Sequence, residues 1–367
     1  MITKDSRILV TGFKGQLGYD CVRELKERGY TNVLGIDIED LDITDEQAVH
    51  KFINDYKPNV VMHNAAWTAV DKAEQMPDAV YKVNSLGPKY IAEACKEVDA
   101  TMFYISTDYV FEGKGDKAYE VDDPKVGLSV YGKTKSQGED FVRQAIDKYF
   151  IIRISWVFGI NGKNFIKTML SLAERGLKEL NVVCDQIGSP TYTYDLSKLM
   201  CDMMVTDKYG IYHTTNEGFC SWAEFASYIF KVAGIDMKVN PVTTEEYKKL
   251  VPNQADRPLN SRMSKSSLDK AGFNRLPSWQ DATERYIKQL IIHYNSVDAS
   301  LYLLPLIKKN SINTLELKML NQFVSYNSFC DFVKCGINNL GNILKEVYTS
   351  YNEKDQIISL EYTLQGE

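Results

Sequence analysis

The sequence lacks an apolar run long enough to cross a bilayer, and it lacks an excess of basic residues. No apolar stretch approaches the roughly 18 residues that a transmembrane helix needs. Lys and Arg total 43 against 49 Asp and Glu, and the formal net charge is −6. A mildly acidic chain without a basic block disfavours general binding to nucleic acid or to an anionic membrane surface. Small molecules and other proteins remain as the expected partners.

The chain also lacks paired cysteines. Its seven cysteines are odd in number, scattered and nowhere arranged as C-x-x-C. This pattern is typical of reduced thiols and argues against a disulfide framework or a zinc site. The N-terminus runs from Met1 into a strand-like segment without a basic region, a long apolar region or a cleavage site. We therefore expect the protein to be cytoplasmic.

Short apolar segments alternate with amphipathic stretches over the first 150 residues. The predicted strands are Arg7–Thr11, Asn32–Asp37, Val60–Asn64, Thr101–Ser106 and Phe150–Ile154. The predicted helices are Gly18–Arg28, Asp45–Tyr56, Asp78–Val98 and Tyr131–Tyr149. Strands that are apolar on both faces indicate a parallel sheet covered by helices on both sides. The sequence therefore predicts an α/β fold with a doubly wound parallel sheet.

The length of 367 residues allows one large or two to three small domains. We predict a first domain over residues 1–154, to which later segments can return, and a smaller lobe over residues 155–290. Short strands are expected in that lobe at Leu180–Cys184 and Gly210–Thr214. Residues 291–367 form a C-terminal extension without a chemical motif. Its apolar stretches at Leu301–Ile307 and Ile343–Val347 indicate helices, and its end at Gln356–Leu364 resembles a strand.

Three glycines, Gly12, Gly15 and Gly18, lie between the first predicted strand and the first predicted helix. Small residues there allow a tight turn close to a pyrophosphate, and the helix N-terminus offers amide groups. The G-x-x-G-x-x-G spacing is that of short-chain dehydrogenases, and ordinary turn chemistry is the alternative. Asp37 ends the second strand, where a carboxylate could accept the ribose hydroxyls of NAD and repel the 2′-phosphate of NADP. A solvated acidic turn is the alternative for Asp37.

Tyr131 and Lys135 stand one helical turn apart, on one face of a predicted helix. An adjacent ammonium favours the phenolate form of a tyrosine, which suits proton transfer near neutral pH. Thr107 follows a predicted strand at the edge where a parallel sheet binds ligands, and its hydroxyl could contact the substrate oxygen that Tyr131 protonates. These three residues are the predicted catalytic group. An exposed helix face is the alternative reading of the Tyr and Lys pair.

Seven segments together resemble the extended short-chain dehydrogenase/reductase family and, within it, the dTDP-4-dehydrorhamnose reductases. They include the S-T-D-Y-V-F sequence and run in order over roughly residues 6 to 290: Asn64–Glu74, Ser106–Phe111, Tyr131–Lys135, Arg153–Phe158, Asn164–Met169, Asp185–Thr191 and Arg257–Ser261. The resemblance implies NADH- or NADPH-dependent reduction of the 4-keto group of dTDP-4-dehydro-L-rhamnose. Residues 1–154 would form the dinucleotide-binding Rossmann domain, and residues 155–290 would bind the nucleotide sugar.

The resemblance also implies the roles of individual residues. Together with Asp37, the cofactor site would contain Gly12, Gly15, Gln16, Leu17, Gly18, Asp42, Ile43, Asn64, Ala65, Ala66, Tyr131 and Lys135. The nucleotide-sugar site would contain Val70, Thr107, Asp108, Tyr109, Trp156, Asn164 and Arg257. Hydride would reach C4 of the sugar as Tyr131 donates the proton. Asn164 and Arg257 are the candidates for the diphosphate.

Several of these residues also have structural interpretations. Trp156 could be a core aromatic residue, Asp108 could cap a turn, and Arg257 could be structural. His63 is expected to be a hydrogen-bonded core histidine. Some family members place Mg²⁺ at a homodimer interface, but Asp71 and Glu74 are better read as a charged helix start, so no metal site is predicted.

Two other functions remain open at the level of sequence. One is a nucleotide-sugar epimerase or dehydratase of the same fold, although a dehydratase would need an acidic pair where this chain has Asp108 and Tyr109. The other is a non-catalytic cofactor-binding regulatory subunit, like that of methionine adenosyltransferase. The presence of Thr107, Tyr131 and Lys135 favours catalysis.

Overall fold

The computed structural model describes residues 2–252, 254–290, 314–318, 337, 344–352 and 357–364. The chain divides into two compact units, Met1–Glu284 and Arg285–Glu367. Within the described residues, no helix combines the length and the apolar character that crossing a membrane requires.

The first unit alternates strands and helices along the chain. Its strands are β1 (Ile8–Thr11), β2 (Val33–Ile36), β3 (Val60–His63), β4 (Thr101–Thr107), β5 (Tyr149–Ile154), β6 (Val157–Phe158), β7 (Glu179–Val183), β8 (Ile187–Gly188), β9 (Thr191–Tyr192), β10 (Gly210–His213), β11 (Cys220–Ser221) and β12 (Lys238–Val242). Its helices are α1 (Gln16–Glu27), α2 (Glu46–Tyr56), α3 (Val70–Ala73), α4 (Pro77–Tyr81), α5 (Gly87–Glu97), α6 (Val130–Ala145), α7 (Phe165–Glu174), α8 (Thr193–Met203), α9 (Trp222–Ala233), α10 (Thr244–Leu250) and α11 (Ser266–Ala271). Residues 279–284, at the end of this unit, are also helical.

A six-stranded parallel sheet forms the centre of this unit, in the order β10-β5-β4-β3-β1-β2. Ile8 of β1 pairs with Val33 of β2 on one side and with Val60 of β3 on the other. The order therefore reverses beside β1, and ligands of such sheets bind at the carboxyl ends of the strands at that point.

Helices cover both faces of the central sheet. Ile8 and Val10 of β1 pack in one apolar cluster with residues of α1 and α8. Leu9, which points to the opposite face, packs in a second cluster with residues of α2, α5 and α6. Because successive strand residues alternate between faces, both layers are needed to bury strands that are apolar throughout. The predicted doubly wound α/β fold is confirmed.

Two segments differ from their prediction in the first unit. The stretch predicted as one helix at Asp78–Val98 is divided into α4, a π-helical turn at Lys82–Leu86, and α5. Asn84 in that turn accepts a hydrogen bond from the Trp67 amide at 2.8 Å and donates one to the Trp67 carbonyl at 3.0 Å. Such turns within helices often occur at functional sites. The last α-helix before β5 ends at Ala145 rather than Tyr149, because Ile146 already has extended backbone angles.

The region after β5 contributes to two parts of the unit. Strand β10, predicted at Gly210–Thr214 in the smaller lobe, pairs with β5 and so extends the central sheet. The strand predicted at Leu180–Cys184 is β7, which pairs with β12 in a separate two-stranded sheet. Shorter pairs join β8 with β11 and β6 with β9.

The second unit contains a three-stranded antiparallel sheet in the order β13 (Thr314–Lys318), β15 (Ile357–Leu364) and β14 (Leu344–Asn352). The strand-like end of the chain is confirmed as β15. The helix expected at Ile343–Val347 is wrong, because Leu344–Val347 begins β14; the valine, threonine and tyrosines of that strand favour extended backbone. Leu301–Ile307 lies outside the described residues.

Candidate active site

A cleft of about 950 Å³ opens at the carboxyl ends of the central strands. Its walls come from the glycine turn after β1, the acidic turn after β2 and the loops after β3, β4 and β5. Side chains of α6 complete it. The predicted residues that line this cleft are Gly12, Gly15, Gln16, Leu17, Gly18, Asp37, Asp42, Ile43, Asn64, Ala65, Ala66, Val70, Thr107, Asp108, Tyr109, Tyr131, Lys135 and Trp156. Residues far apart in sequence therefore meet where the sheet topology places ligands.

The glycine turn after β1 fits a dinucleotide. Gly12 has a φ of +64°, and a Cβ atom there would lie 2.8 Å from the Ala65 nitrogen. A Cβ atom on Gly18 would lie 2.2 Å from the Gly12 carbonyl oxygen. Gly15 precedes the first residue of α1, so the amides at the start of this helix face the cleft. Only glycines allow this close passage of backbone, which leaves room for a pyrophosphate at a helix N-terminus.

The acidic turn after β2 is ordered by its own carboxylates. Asp37 accepts hydrogen bonds from the amides of Lys14 at 3.2 Å and Ile38 at 2.9 Å. Asp42 accepts from the amide and the hydroxyl of Thr44 at 2.9 and 2.8 Å. Both aspartates also line the cleft. The turn is therefore both an acidic structural element and a wall of the proposed adenosine region.

His63 at the end of β3 is buried, and its Nδ1 atom lies 2.8 Å from the Thr11 hydroxyl. Burial, and then the positive charge of Lys135, lower the pKa of His63 to about 3. The same Thr11 hydroxyl accepts a hydrogen bond from the Ala65 amide at 3.2 Å. The prediction of a hydrogen-bonded core histidine is confirmed, and this histidine supports the loop that underlies the cleft.

Thr107 and Asp108 form a buried pair after β4. The Thr107 hydroxyl donates to Asp108 Oδ1 at 2.8 Å and accepts from the Tyr109 amide at 3.3 Å. Asp108 Oδ2 is buried and has no hydrogen-bond partner among the described residues. Burial raises the pKa of Asp108 to about 6, although hydrogen bonds from Ser261 and Thr107 oppose the shift. Asp108 therefore does more than cap the turn, since its Oδ1 atom accepts a hydrogen bond from the Thr107 hydroxyl.

Tyr131 and Lys135 lie in the first two turns of α6, which Ser129 caps through the Gly132 amide. Burial raises the pKa of Tyr131 to about 12, while a hydrogen bond with Thr107 opposes the rise. Burial also lowers the pKa of Lys135 to about 7, with the charge of Glu139 opposing the change. At neutral pH the phenol keeps its proton, and this suits a proton donor.

A second cavity of about 280 Å³ lies beside the first and shares Tyr109, Trp156 and Trp222 with it. Trp156 stacks on Trp222 with ring centroids 3.7 Å apart, and its backbone has a φ of +50°. Positive φ is uncommon for a residue with a side chain, and such backbone often occurs at ligand sites. Sequence reasoning missed Trp222; its one available signal was that tryptophan occurs only four times in the chain.

The two diphosphate candidates have different surroundings. Arg257 lines the second cavity, and its Nη2 donates to Asp71 Oδ2 at 2.9 Å. Burial raises the pKa of Asp71, but hydrogen bonds from Arg257 and the Ala255 amide outweigh that effect and leave it below its usual value. Asn164 lines neither cavity. Its side chain caps α7 at the Lys167 amide and donates to Gln16 at 3.0 Å, so it positions the glycine turn from outside.

The acidic residues considered for a metal have protein partners. Asp71 is paired with Arg257, and Glu74 accepts a hydrogen bond from the Val130 amide at 2.8 Å. These contacts agree with a charged helix start. In the described part of the chain, the potential ligand atoms that gather within 4.8 Å of one another belong to Glu46, His50 and Glu93, on α2 and α5.

Comparison with known proteins shows that the chain is similar to members of one family. The model of the RmlD substrate binding domain matches residues 6–292. A spore coat polysaccharide biosynthesis protein of Bacillus subtilis, SpsK, is 41% identical over 284 residues, which cover 77% of this chain and 98% of that protein.

Two crystal structures are similar throughout the same region. A dTDP-4-dehydrorhamnose reductase of Clostridium acetobutylicum is 43% identical with a TM-score of 0.74, covering 77% of this chain and 99% of the other. That of Bacillus anthracis, in complex with NADP, is 39% identical with a TM-score of 0.74, covering 78% and 99%. The chain therefore belongs to the RmlD substrate binding domain family of extended short-chain dehydrogenase/reductases.

Proposed function

We propose that this protein is an NADH- or NADPH-dependent reductase that converts dTDP-4-dehydro-L-rhamnose to dTDP-L-rhamnose. The observation that carries the proposal is that Thr107, Tyr131 and Lys135 share one cleft with the glycine turn. This chain matches the two similar reductases of known structure over 99% of their length, which supports the same activity for this chain.

Different residues of the cleft would bind different parts of the cofactor. Gly12, Gly15 and Gly18 would hold the pyrophosphate at the start of α1, and Asp37 and Asp42 would lie along the adenosine. The nicotinamide supplies the hydride for C4 of the sugar. Lys135 would hold the nicotinamide ribose through its ammonium group. A carboxylate at Asp37 would repel a 2′-phosphate, whereas the similar reductase of Bacillus anthracis is in complex with NADP, so both reduced cofactors are to be tested.

Tyr131 would donate its proton to the C4 oxygen as that oxygen gains charge. The nearby ammonium of Lys135 would stabilise the phenolate that remains. Thr107 would orient the carbonyl. This hydroxyl donates its hydrogen bond to Asp108 in the described structure, so the role requires the hydroxyl to rotate towards the substrate.

The nucleotide sugar would occupy the region shared by the two cavities. Val70, Asp108, Tyr109 and Trp156 would contact the sugar side, with Trp222 as an added aromatic wall. Arg257 would bind the diphosphate, for which its planar guanidinium is suited. The diphosphate would then compete with Asp71 for the same Nη2 atom.

We also propose a cytoplasmic location and a homodimer. The described cysteines are all free thiols, which suits a reducing compartment. The homodimer follows from the sequence resemblance alone, and light scattering of the purified protein tests it.

The direct test is oxidation of NADH or NADPH, followed by absorbance, in the presence of dTDP-4-dehydrorhamnose. We expect oxidation that depends on the sugar nucleotide and yields dTDP-rhamnose. A folded protein that oxidises neither cofactor with this substrate would contradict the proposal. Turnover of the corresponding UDP-linked 4-keto sugar at an equal rate would agree with reductase activity but would contradict dTDP as the preferred nucleotide.

A further inference from the structure

The ammonium of Lys135 lies over an aromatic ring that no role yet explains. Its Nζ atom is 4.1 Å from the centroid of the Tyr104 ring, on the adjacent strand β4. Both residues are buried, and Lys135 lines the cleft whereas Tyr104 does not. The ring therefore contacts the ammonium from the interior side. A cation over an aromatic face is attracted by the negative charge of the ring face, most strongly where water is excluded.

The Tyr104 ring is fixed in place by its hydroxyl. This group lies 3.1 Å from the carbonyl oxygen of Asn84 and 3.2 Å from that of Lys135, and its one proton is shared between them. Gly138 provides the space, because a Cβ atom there would lie 2.3 Å from the Tyr104 hydroxyl oxygen. The Asn84 carbonyl belongs to the π-helical turn. Two elements, the π-helical turn and α6, thus fix the orientation of this ring.

No carboxylate takes the place of this ring. Glu139 is one turn beyond Lys135, but it accepts hydrogen bonds from Arg153 at 2.9 and 2.8 Å and lies 3.4 Å from Lys125. Within the described residues, no carboxylate oxygen lies within 4.0 Å of Lys135 Nζ. Besides Glu139, the titratable group that interacts electrostatically with Lys135 is His63 on β3, and burial keeps His63 neutral. Tyr131, one turn earlier on α6, interacts electrostatically with Tyr104.

We propose that Tyr104 is a positioning residue for Lys135, whose ring face directs Nζ into the cofactor cleft and stabilises its positive charge. The catalytic consequence rests on the proposed reductase function, in which a charged Lys135 stabilises the Tyr131 phenolate. Because the charge of a lysine is lost as pH rises through its pKa, weakening the ring contact would move that loss to lower pH. The Tyr104 hydroxyl would serve to orient the ring and not to contact the ammonium.

The test measures the titration of Lys135 directly in the cofactor-free full chain. Lysine labelled with ¹³C at Cε gives one NMR signal for each lysine, and the signal missing in Lys135→Arg identifies Lys135. Three proteins are compared: wild type, Tyr104→Phe, and a protein with 3,4,5-trifluorophenylalanine at position 104. The last two have rings of similar shape, but fluorine withdraws charge from the ring face.

We expect Tyr104→Phe to titrate Lys135 close to the wild-type value and the trifluoro protein to titrate it roughly 0.5–1 pH unit lower. The alkaline limb of kcat for NADH oxidation should move in the same direction by the same amount. Equal Lys135 titration in the phenylalanine and trifluoro proteins would overturn the proposal. The NMR measurement needs no turnover. A protein inactive with dTDP-4-dehydrorhamnose would therefore contradict the reductase function, and the NMR titration would still test the contact between Tyr104 and Lys135.

Discussion

A phenol can protonate a carbonyl oxygen at neutral pH only if it holds its own proton until charge develops on that oxygen. The raised pKa of Tyr131, about 12, meets this condition. In the proposed mechanism, the ammonium of Lys135 would favour the phenolate left behind. Burial lowers the pKa of Lys135 to about 7. The same buried environment therefore keeps the proton on the phenol and favours loss of the proton from the ammonium. The pKa values of the two proposed catalytic residues therefore depend on what surrounds them and not only on their spacing.

Tyr131→Phe removes the proposed proton donor and keeps the ring that touches Tyr109 at a centroid distance of 5.4 Å. We expect kcat for reduction to fall by about 10² to 10⁴, because general acid catalysis contributes that much. The dissociation constant for NADH should change little. Stopped-flow reduction and fluorescence titration measure the two quantities. Tyr90→Phe on α5, which does not line the cleft, is the control. Unchanged turnover in Tyr131→Phe would show that Tyr131 is not the proton donor.

Gly18→Ala places a methyl group 2.2 Å from the Gly12 carbonyl oxygen, a contact that the backbone must relieve by moving. We expect NADH to bind about tenfold more weakly or worse, because an overpacked site costs 1–3 kcal/mol. Isothermal titration with NADH measures the change, and a melting curve separates it from loss of the fold. Wild-type affinity in a folded Gly18→Ala protein would show that the turn does not hold the pyrophosphate.

At the scale of elements, the contact between α1 and α8 carries a buried acid. Asp20 of α1 accepts a hydrogen bond from the Thr193 hydroxyl at the start of α8, and its Oδ1 atom is buried without a hydrogen-bond partner among the described residues. Burial raises the pKa of Asp20 to about 6, and the Thr193 hydrogen bond and Arg23 oppose the shift. The folded protein therefore binds this proton more tightly than the unfolded chain does. The resulting stability is present at low pH and is lost as pH rises from about 4 through about 6.

Asp20→Asn removes that titration while keeping an acceptor for Thr193. Relative to wild type, we expect Asp20→Asn to increase the free energy of unfolding by about 2 kcal/mol more at pH 7.5 than at pH 4.5. The reason is that the wild-type protein loses the stability contributed by the Asp20 proton over this pH range. Urea unfolding at both pH values measures it. Asp55→Asn on α2, where the carboxylate is exposed and paired with Lys51, is the control for the loss of a surface carboxylate. A gain that is equal at the two pH values would contradict the assignment of a raised pKa to Asp20.

For the whole molecule, the proposed chemistry is contained in the first unit. The family model ends at residue 292. The alignments with the two solved reductases include 77–78% of this chain and 99% of each reductase. The central sheet, the glycine turn and both cavities are formed by residues of Met1–Glu284. The remaining sheet of the second unit has its own hydrogen-bonded strands.

A protein that ends after residue 290 should therefore keep the reductase activity. We expect kcat and KM to remain within about twofold of the full chain, because a unit with its own core folds without its neighbour. Steady-state NADH oxidation and melting temperature are measured for both lengths. A soluble, folded short protein without activity would show that residues 291–367 take part in catalysis.

How much of this could be predicted from sequence depends on whether the signal is local. The strands β1 to β5 and the glycine turn were predictable, since alternating apolar runs and turn residues act over a few neighbouring positions. The division of the helix around Asn84 was not, because its cause is a hydrogen-bonded contact with Trp67 outside the helix. The helix expected at the start of β14 failed because a short apolar run suits either state, and pairing with β15 decides it.

The sequence by itself determined the doubly wound fold and, through the resemblance of its segments, the family. It also placed Tyr131 and Lys135 one turn apart on a helix and Thr107 after a strand, because spacing along a helix and position after a strand are local properties. Only the tertiary structure decided which partner each of them has. Asp108 accepts a hydrogen bond from Thr107, Asp71 accepts one from Arg257, and the Tyr104 ring lies under Lys135. These contacts join residues from different strands and helices. Burial and charge at such contacts set the pKa values, and neither can be read from the order of residues along the chain.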